Sequence, residues 1–509
     1  MSPVLKIYRG GKLIHTAEAV PGETLYERII ASDIYLEAPC GGRGKCGKCL
    51  VQLSPDGPKV RACQTQVSGD MDVYLPEEMH MKIAGDDAKS KTVTYTGPLG
   101  IAVDIGTTTV VAHLTDIPNC TRLATASGVN AQRTYGADVI SRIQYCAENG
   151  HEVLTRVIRA QLAGLISKAC KSVGANPKDI HYISIAGNTI MQHLAAGYSP
   201  VAMGVAPFTP VELFGNERPA GKDLPVADDA VLYFAPCVYS YVGGDITAGM
   251  LASDLENIKG NCVYIDIGTN GELVLKADDR YYCCATAAGP AFEGAEIAKG
   301  MAAIQGAISH VKWSAEKGLE LTVIGDAAPE GLCGSGLMDA LAVMVSTSAV
   351  DETGRLVDAG ELEHHPISRY LGKREGKNVF WLSKEHDVYM IPGDVRKLQL
   401  AKAAIAAGIQ TLLHTAGKTN KDISGFLLAG GFGSFLDQHS AATIGLFPKD
   451  FLPFARTMGN TAGEGAALAL CTQAARDTLK NMMDNFEVVE LSTSKIFNEQ
   501  FIDQMMFEG

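Results

Sequence analysis

Apolar and polar positions alternate at the start of the chain and later gather into blocks. Val4-Leu-Lys-Ile-Tyr-Arg9 has the period-two pattern of a strand, and a second alternating stretch, about residues 12–18, follows Gly10-Gly11. Two short strands across a Gly-Gly pair predict a hairpin. Pro21-Gly-Glu-Thr24 then opens a predicted helix, Leu25 to Ala31, and a strand is predicted over Leu50–Leu53. Further on, Ile101-Ala-Val-Asp-Ile-Gly-Thr-Thr-Thr-Val-Val-Ala-His-Leu114 reads as a buried strand, a polar turn from Asp104 to Thr109, and a second strand. The same pattern returns as Val263-Tyr-Ile-Asp-Ile-Gly-Thr-Asn-Gly-Glu-Leu-Val-Leu275. A strand–DIGT–strand unit written twice predicts two related lobes that face each other.

Between and after these units the pattern turns helical around Gly136–Ile143, over 152–173 and from Asp394 to Ala406. Ile183–Met191 and Ile423–Gly433 read as strands running into glycine turns. Ala288–Glu296 and Gly331–Asp339 read as glycine-rich turns before helices, and Gly459–Leu470 as a turn and a small-residue helix.

The polar turns carry chemistry. Gly106 lets the backbone come close to a bulky group, Thr107, Thr108 and Thr109 offer hydroxyl and N–H donors, and Asp104 offers a carboxylate. Asp266, Gly268, Thr269 and Asn270 repeat that equipment. It suits phosphate oxygens and their Mg²⁺. Gly430, Gly431 and Gly433 lack side chains, as a surface for a flat base requires. Two residues have competing roles. Asp245, after Gly243-Gly244, either brings a carboxylate to the phosphates or caps a helix, and Asn188 either touches ligand or caps its helix. His193 is expected to be a packed or surface residue.

Four of the thirteen cysteines, Cys40, Cys46, Cys49 and Cys63, are spaced C-x5-C-x2-C-x13-C. Gly42, Gly44 and Gly47 fit G-x-G-x-x-G, and the same stretch nearly fits a P-loop, with Cys49 where Ser or Thr should stand. Neither motif sits between the strand and helix of a βαβ unit, which excludes both. Four thiolates suit an iron–sulfur cluster or a structural zinc. A zinc ribbon usually offers two C-x2-C knuckles, and one is present. The glycines suit a loop wrapped around a cluster, with N–H groups turned toward sulfur. The odd cysteine total argues against a secreted disulfide framework. Cys120, Cys146, Cys170, Cys237, Cys262, Cys283, Cys284, Cys333 and Cys471 are expected to be buried or idle thiols.

Composition narrows the class. A chain of 509 residues should hold more than one domain. Hydrophobic content of 46% against 20% charged residues describes a folded protein. The net charge of −13 argues against nonspecific nucleic-acid binding. No apolar run approaches the ~20 residues of a membrane span, and the N-terminus alternates as a strand would, not as a signal peptide. A cytoplasmic location is expected. The predicted division is a cluster domain over 1–76, a linker over 77–97, a first lobe over 98–258, a second lobe over 259–458, and a helix with C-terminal tail over 459–509.

The hairpin, helix and cysteine loop resemble a [2Fe–2S] ferredoxin of plant or adrenodoxin type, with the five-residue first gap of the adrenodoxin-like branch. In order, DIGTTT, DIGTNG, LAGGFG and GNTAGEGA resemble the phosphate-1, phosphate-2, adenosine and connect-2 segments of the actin–hexokinase–Hsp70 ATPases. Together with AGNTIM, YVGGD, GPAFEGA and GLCGSGLMDA, they resemble one family, the ATP-dependent reductive activators of corrinoid proteins. The tail, Phe486 to Phe507, resembles that family's C-terminal end, while the region between ferredoxin and ATPase is shorter than in many such proteins.

The resemblance implies an α/β and α+β multidomain fold: a β-grasp [2Fe–2S] ferredoxin-like domain, then a duplicated two-lobe, ribonuclease H-like ATPase. It implies ATP-driven transfer of one electron from the cluster to reduce an inactive Co(II) corrinoid to Co(I). A plant-type cluster sits near −400 mV, and about 59 mV of uphill one-electron transfer costs a factor of ten. ATP would supply the deficit by favouring one of two conformations. In that reading Cys40, Cys46, Cys49 and Cys63 hold the cluster, and Asp104, Asp266 and Asp245 are the catalytic carboxylates. Gly106, Thr107, Thr108, Thr109, Gly268, Thr269 and Asn270 serve Mg²⁺ and phosphates; Gly430, Gly431 and Gly433 flank adenosine. The implied partners are a corrinoid protein of a methyltransferase system, a low-potential electron donor and a second copy of the chain. The rival readings are an ATP-driven electron injector for a non-corrinoid enzyme, a small-molecule kinase with a fused ferredoxin domain, and a non-catalytic electron carrier.

Overall fold

The structure is a computed structural model that describes residues 2–32, 34, 36, 38, 42, 44, 47–76, 95, 97–268, 270–294, 297–433 and 435–507. Cys40, Cys46, Thr269 and most of the expected linker therefore lie outside the described residues.

Near the N-terminus, β1 (Val4–Arg9), β2 (Lys12–Glu18), β3 (Leu50–Gln52), β4 (Lys59–Arg61) and β5 (Met71–Leu75) form one sheet in the order β2-β1-β5-β3-β4. β1 and β5 are parallel and the other neighbours antiparallel. Helix α1 (Leu25–Ala31) starts with a capping box, in which Thr24 Oγ1 accepts from Glu27 N (3.2 Å) and Glu27 Oε2 accepts from Thr24 N (2.7 Å). Its Leu25 and Ile29 close a small core with Leu5, Ile7, Val51 and Val73. β2 alternates in sequence, yet it lies at the sheet edge with only Ala17 buried, so Leu13 and Ile14 stay exposed.

Two six-stranded sheets follow. The first contains β6 (Leu99–Ile105), β7 (Thr109–Asp116), β8 (Thr121–Val129), β9 (Ile180–Gly187), β10 (Glu217–Pro219) and β11 (Val231–Phe234) in the order β10-β11-β9-β6-β7-β8. Helices α2 (Val139–Asn149), α3 (Glu152–Val173), α4 (Thr189–Ala196) and α5 (Gly244–Ala252) accompany it. The second contains β12 (Asn261–Ile267), β13 (Gly271–Ala277) and β14 (Arg280–Thr286). Small sheets β15–β17 (Ala307–Ser314, Gly318–Val323, Gly331–Leu332) and β18–β20 (Leu371–Arg374, Lys377–Ser383, Val388–Met390) are inserted before β21 (Ile423–Ala429), β22 (Ala455–Gly459) and β23 (Phe486–Val488) complete it. Its order is β22-β21-β12-β13-β14-β23.

Five strands correspond between the two sheets. β6-β7-β8 and β12-β13-β14 are antiparallel meanders, and each first strand has two parallel neighbours in succession, β9 and β11 or β21 and β22. The lobes are a structural duplication. β6 and β12 are interior strands buried along nearly their whole length, as continuous apolar runs require. Asp104 and Asp266 interrupt that burial one residue before each strand ends.

Several elements differ from the sequence expectation. Ala288–Glu296 does not lead into a helix: it contains a 3-10 turn, Pro290–Glu293, and no α-helix begins among the described residues before β15. Gly430–Gly433 forms a short helical turn, α8. The run from Asp394 belongs to a longer helix, α7 (Pro392–Thr415), and α6 (Gly334–Ser346) follows β17 directly. After α9 (Gln438–Thr443), α10 (Thr461–Cys471) packs across α5 so closely that a Cβ on Gly465 would lie 1.9 Å from Ala248 O.

Cys120 and Cys471 are not idle thiols. The end of α10 comes beside the β7–β8 turn, with Cα atoms 5.6 Å apart, and the two form a disulfide. The other seven scattered cysteines are free and buried. After α11 (Gln473–Met482), β23 joins β14, and α12 (Lys495–Asp503) leads to Phe507, buried against Lys402 of α7. No helix among the described residues is long and apolar enough to cross a membrane.

Candidate functional site

The first DIGT turn is a tight link between β6 and β7, closed by Gly106 N donating to Thr109 O (2.9 Å). It is held from behind through its carbonyls. Asn130 Nδ2 donates to Gly106 O (2.8 Å), Arg142 Nη2 to Thr107 O (2.6 Å), and Asn130 N to Thr108 O (2.9 Å). Asn188 is the cap of its helix and also reaches the first turn. Its Oδ1 caps α4 by accepting from Met191 N (3.0 Å), and its Nδ2 donates to Thr107 Oγ1 (3.0 Å). The second DIGT turn is closed one residue shorter, by Gly268 N donating to Asn270 O (2.9 Å).

Asp245 is not the cap of α5. That position belongs to Gly243, and Asp245 lies in the first turn, where Oδ1 accepts from Ile246 N (2.9 Å). It stands close enough to Asp266 and Asp104 for their charges to raise its pKa. His193 is fully buried and structural: Nδ1 meets Thr189 O (2.7 Å), and Nε2 accepts from Val211 N (3.0 Å).

The three carboxyls share one electrostatic environment, each with a side chain partly open to solvent and otherwise closely surrounded by protein. Burial pushes Asp104 up to about 6, against a hydrogen bond from Asn460. Burial and then Asp104 push Asp266 to about 7. Burial, Asp266 and Asp104 push Asp245 to about 8. Such a cluster is uncompensated negative charge, the condition a divalent cation relieves. Among the described residues no three His, Cys, Asp or Glu groups form a ready metal cage. Mg²⁺ characteristically shares its shell between one or two carboxylates, phosphates and water.

On the second lobe, Gly430 is required by close approach. Its φ is +91°, and a Cβ there would come 2.4 Å from Asp266 Oδ1 and 2.6 Å from Ile267 O. Gly430 thus lets α8 sit against the second DIGT strand. Gly431 faces open space, and Gly433 lies beside Leu428. Phe432 stacks on Phe292 with ring centroids 5.4 Å apart, so LAGGFG and GPAFEGA meet in one wall.

Residues 99–258 match a family profile described as the RACo middle region, and residues 260–509 one described as the C-terminal domain of RACo, the ASKHA domain. Over 96% of this chain and 97% of the relative, 31% of residues are identical to the corrinoid activation enzyme RamQ of Eubacterium limosum. The chain belongs to the family of reductive activators of corrinoid proteins. A solved structure titled reductive activator for corrinoid, iron–sulfur protein superposes with a TM-score of 0.71 at 29% identity, covering 99% of this chain and 98% of that one. The [Co(II) methylated amine-specific corrinoid protein] reductase of Methanosarcina barkeri is 25% identical over 80% of this chain and 77% of its own length. The RamQ alignment spans 587 residues, more than the 509 here, so that relative carries insertions.

Sequence reasoning missed four residues that surround or hold the two DIGT units. Glu272 stands directly opposite Asp266 in the β12–β13 pair, whereas the corresponding partner of Asp104 is Val111. Opposed carboxylates on one face of a sheet are destabilising, and burial, Asp245 and Asp266 drive Glu272 well above the usual carboxylate range. The signal was present as a glutamate two residues after Asn270 in the second motif and absent from the first. Asn460 caps α10 and bonds Asp104. Asn130 and Arg142 hold the first turn from outside any motif.

In the N-terminal sheet, Cys49 precedes β3, and Cys63 sits in a 3-10 turn, Ala62–Gln64, after β4. Ala62 N donates to Cys49 O (2.8 Å), and the two sulfurs stand 3.2 Å apart without a disulfide. Gly42, Gly44 and Gly47 all have positive φ, which shapes the loop as a cluster cradle needs. The described half of this donor set fits an iron–sulfur cluster: two convergent thiols, able to ligate as thiolates.

Proposed function

We propose that this chain hydrolyses ATP to drive one-electron reduction of a partner's corrinoid from Co(II) to Co(I). The observation that carries the reading is the union, in one chain, of the convergent Cys49–Cys63 pair with a duplicated fold in which Asp104 and Asp266 of the two DIGT units and Asp245 of α5 form one charge cluster. Membership of the activator family supports the same assignment.

In this reading residues 1–76 are a β-grasp ferredoxin-like domain, 77–97 a linker, 98–258 and 259–458 the two ATPase lobes, and 459–509 the closing helix and tail. The mixed sheet with helix α1 beside it supports the first assignment. Cys40, Cys46, Cys49 and Cys63 hold the cluster, of [2Fe–2S] type. Bound there, it supplies a single electron at low potential. Thr107, Thr108 and Asn270 orient phosphates, and Gly106, Thr109, Gly268 and Thr269 shape the two turns around them. Asp104 and Asp266 hold Mg²⁺, directly or through water. Asp245 or Glu272, whose raised pKa values suit a proton acceptor near neutral pH, takes the proton from the attacking water. Gly430, Gly431 and Gly433 flank adenosine. A low-potential donor, a homodimeric state and a cytoplasmic site of action belong to the same proposal.

The test uses anaerobic, cluster-loaded protein, a low-potential reductant and a Co(II) corrinoid protein, followed by visible spectroscopy with and without Mg·ATP. A Co(I) band that grows only with ATP is the expected result. Asp104→Ala should remove that growth and the ATPase activity while the cluster spectrum stays intact. Equal growth without ATP would refute the coupling. An intact cluster with cobalt held at Co(II) across corrinoid partners would shift the reading to another electron acceptor.

A further inference from the structure

The cluster domain and the first lobe meet at Tyr26, and the contact leads to the nucleotide turn. Tyr26 belongs to α1, and its ring lies against the cysteine loop, where a Cβ on Gly42 would come 2.5 Å from it. Its hydroxyl donates to Thr134 O at 2.6 Å in a buried bond spanning 108 positions. One side chain thus touches the cluster loop and the ATPase lobe.

Thr134 ends a 3-10 turn, Ala131–Thr134, whose other end supports the first DIGT turn. Asn130 caps that 3-10 turn through Gln132 N (2.9 Å) and holds Gly106 O with Nδ2 (2.8 Å). Gln132 is fully buried; its Nε2 donates to Leu154 O (2.9 Å), and its Oε1 accepts from Arg142 Nη1 (3.5 Å). Arg142 is fully buried as well. It holds Gly136 O (3.0 Å) and Thr107 O (2.6 Å), and burial pushes its pKa down to about 9. A buried network this connected is costly to leave half-satisfied, so a shift at one end is felt at the other.

We propose that the segment from Asn130 to Arg142 is the joint through which nucleotide at the first DIGT turn alters the seating of the cluster domain, with Tyr26 as the contact on the cluster side. The proposal rests on the reading that nucleotide occupies this cleft. It gives the activator a route for sensing the ATP state at the cluster without a new interface. Asn130 and Arg142 are positioning residues. Coupling is reciprocal, so the factor by which nucleotide changes seating is the factor by which seating changes nucleotide affinity. The loss of one hydrogen bond sets the scale at roughly two- to twelvefold.

The experiment is hydrogen exchange on the full-length, cluster-loaded protein, with and without a non-hydrolysable Mg·ATP analogue, in the wild type and in Tyr26→Phe. In the wild type the analogue should change exchange at 104–109, at 131–135 and at 25–31. Tyr26→Phe keeps the ring against Gly42, so the cluster spectrum and the change at 104–109 should persist. The change at 25–31 should be lost, and the analogue's Kd should move by roughly two- to twelvefold. A purely structural role for Tyr26 would leave that nucleotide-dependent difference untouched. The proposal is overturned if the wild-type response stops at 104–109, or if Tyr26→Phe transmits it in full with unchanged Kd. Should the variant fail to hold its cluster, the wild-type comparison decides alone. No response even at 104–109 refutes the nucleotide reading and this proposal with it.

Discussion

Binding of Mg·ADP should expel protons from the cleft. Asp104, Asp266 and Asp245 carry pKa values raised to about 6, 7 and 8. At pH 7 the empty cleft therefore keeps protons on this group of carboxyls, Glu272 included, whose pKa is also driven well above the usual range. A bound cation favours the charged form of each, so ionisation in the complex should release protons at pH 7, on the order of one or more. The sign follows from the direction of the shifts. Affinity should rise with pH from about 6 through about 8, and the rise should slow as the empty site ionises by itself. Calorimetry at pH 7 in buffers of different ionisation enthalpy measures the release directly. Asp245→Asn removes one of the strongly raised carboxyls and lowers the field on its neighbours, so it should reduce the release. Proton uptake, no proton change, or an Asp245→Asn variant equal to the wild type would refute the reasoning.

The same shifts act on the free protein. Raised carboxyl pKa values stabilise the fold while the groups are protonated, and that contribution is lost as pH rises through them. Without nucleotide, Tm should therefore fall between about pH 5 and 8, and Asp245→Asn should flatten the fall, as thermal melts across that range would reveal. Cys120→Ser removes a bond across 351 positions and should cost about 2–4 kcal/mol in oxidised protein but nothing in reductant; equal denaturation midpoints in both conditions would rule this out. Gly465→Ala sets a methyl against Ala248 O and should loosen the α5–α10 crossing by about 1–3 kcal/mol. A Tm equal to that of the wild type would show that the helices separate freely.

Much of this protein is legible in local pattern. Period-two alternation marked β1 and β2, the apolar runs marked β6 and β12, and the twinned DIGT turns announced the duplication that the matching strand orders display. Those features follow from one strand and its next turn, where the period and the turn residues fix the backbone. Cysteine spacing likewise named a donor set, and Cys49 and Cys63 lie side by side.

Other features depend on how distant segments pack, and no local period encodes that. Alternation in β2 could not reveal that the strand would sit at a sheet edge with Leu13 in solvent. Cys120 and Cys471 read as unrelated thiols until α10 crossed to the β7–β8 turn. Asn460 reaches Asp104 only because the closing helix returns to the cleft, and Arg142 reaches Thr107 only because its helix packs behind that turn. The sequence by itself determined which residues are charged, small or thiol-bearing and where the strands turn. Only the tertiary structure decided which charges share a low-dielectric cleft, because burial and proximity belong to the packed lobes and not to any one segment of them.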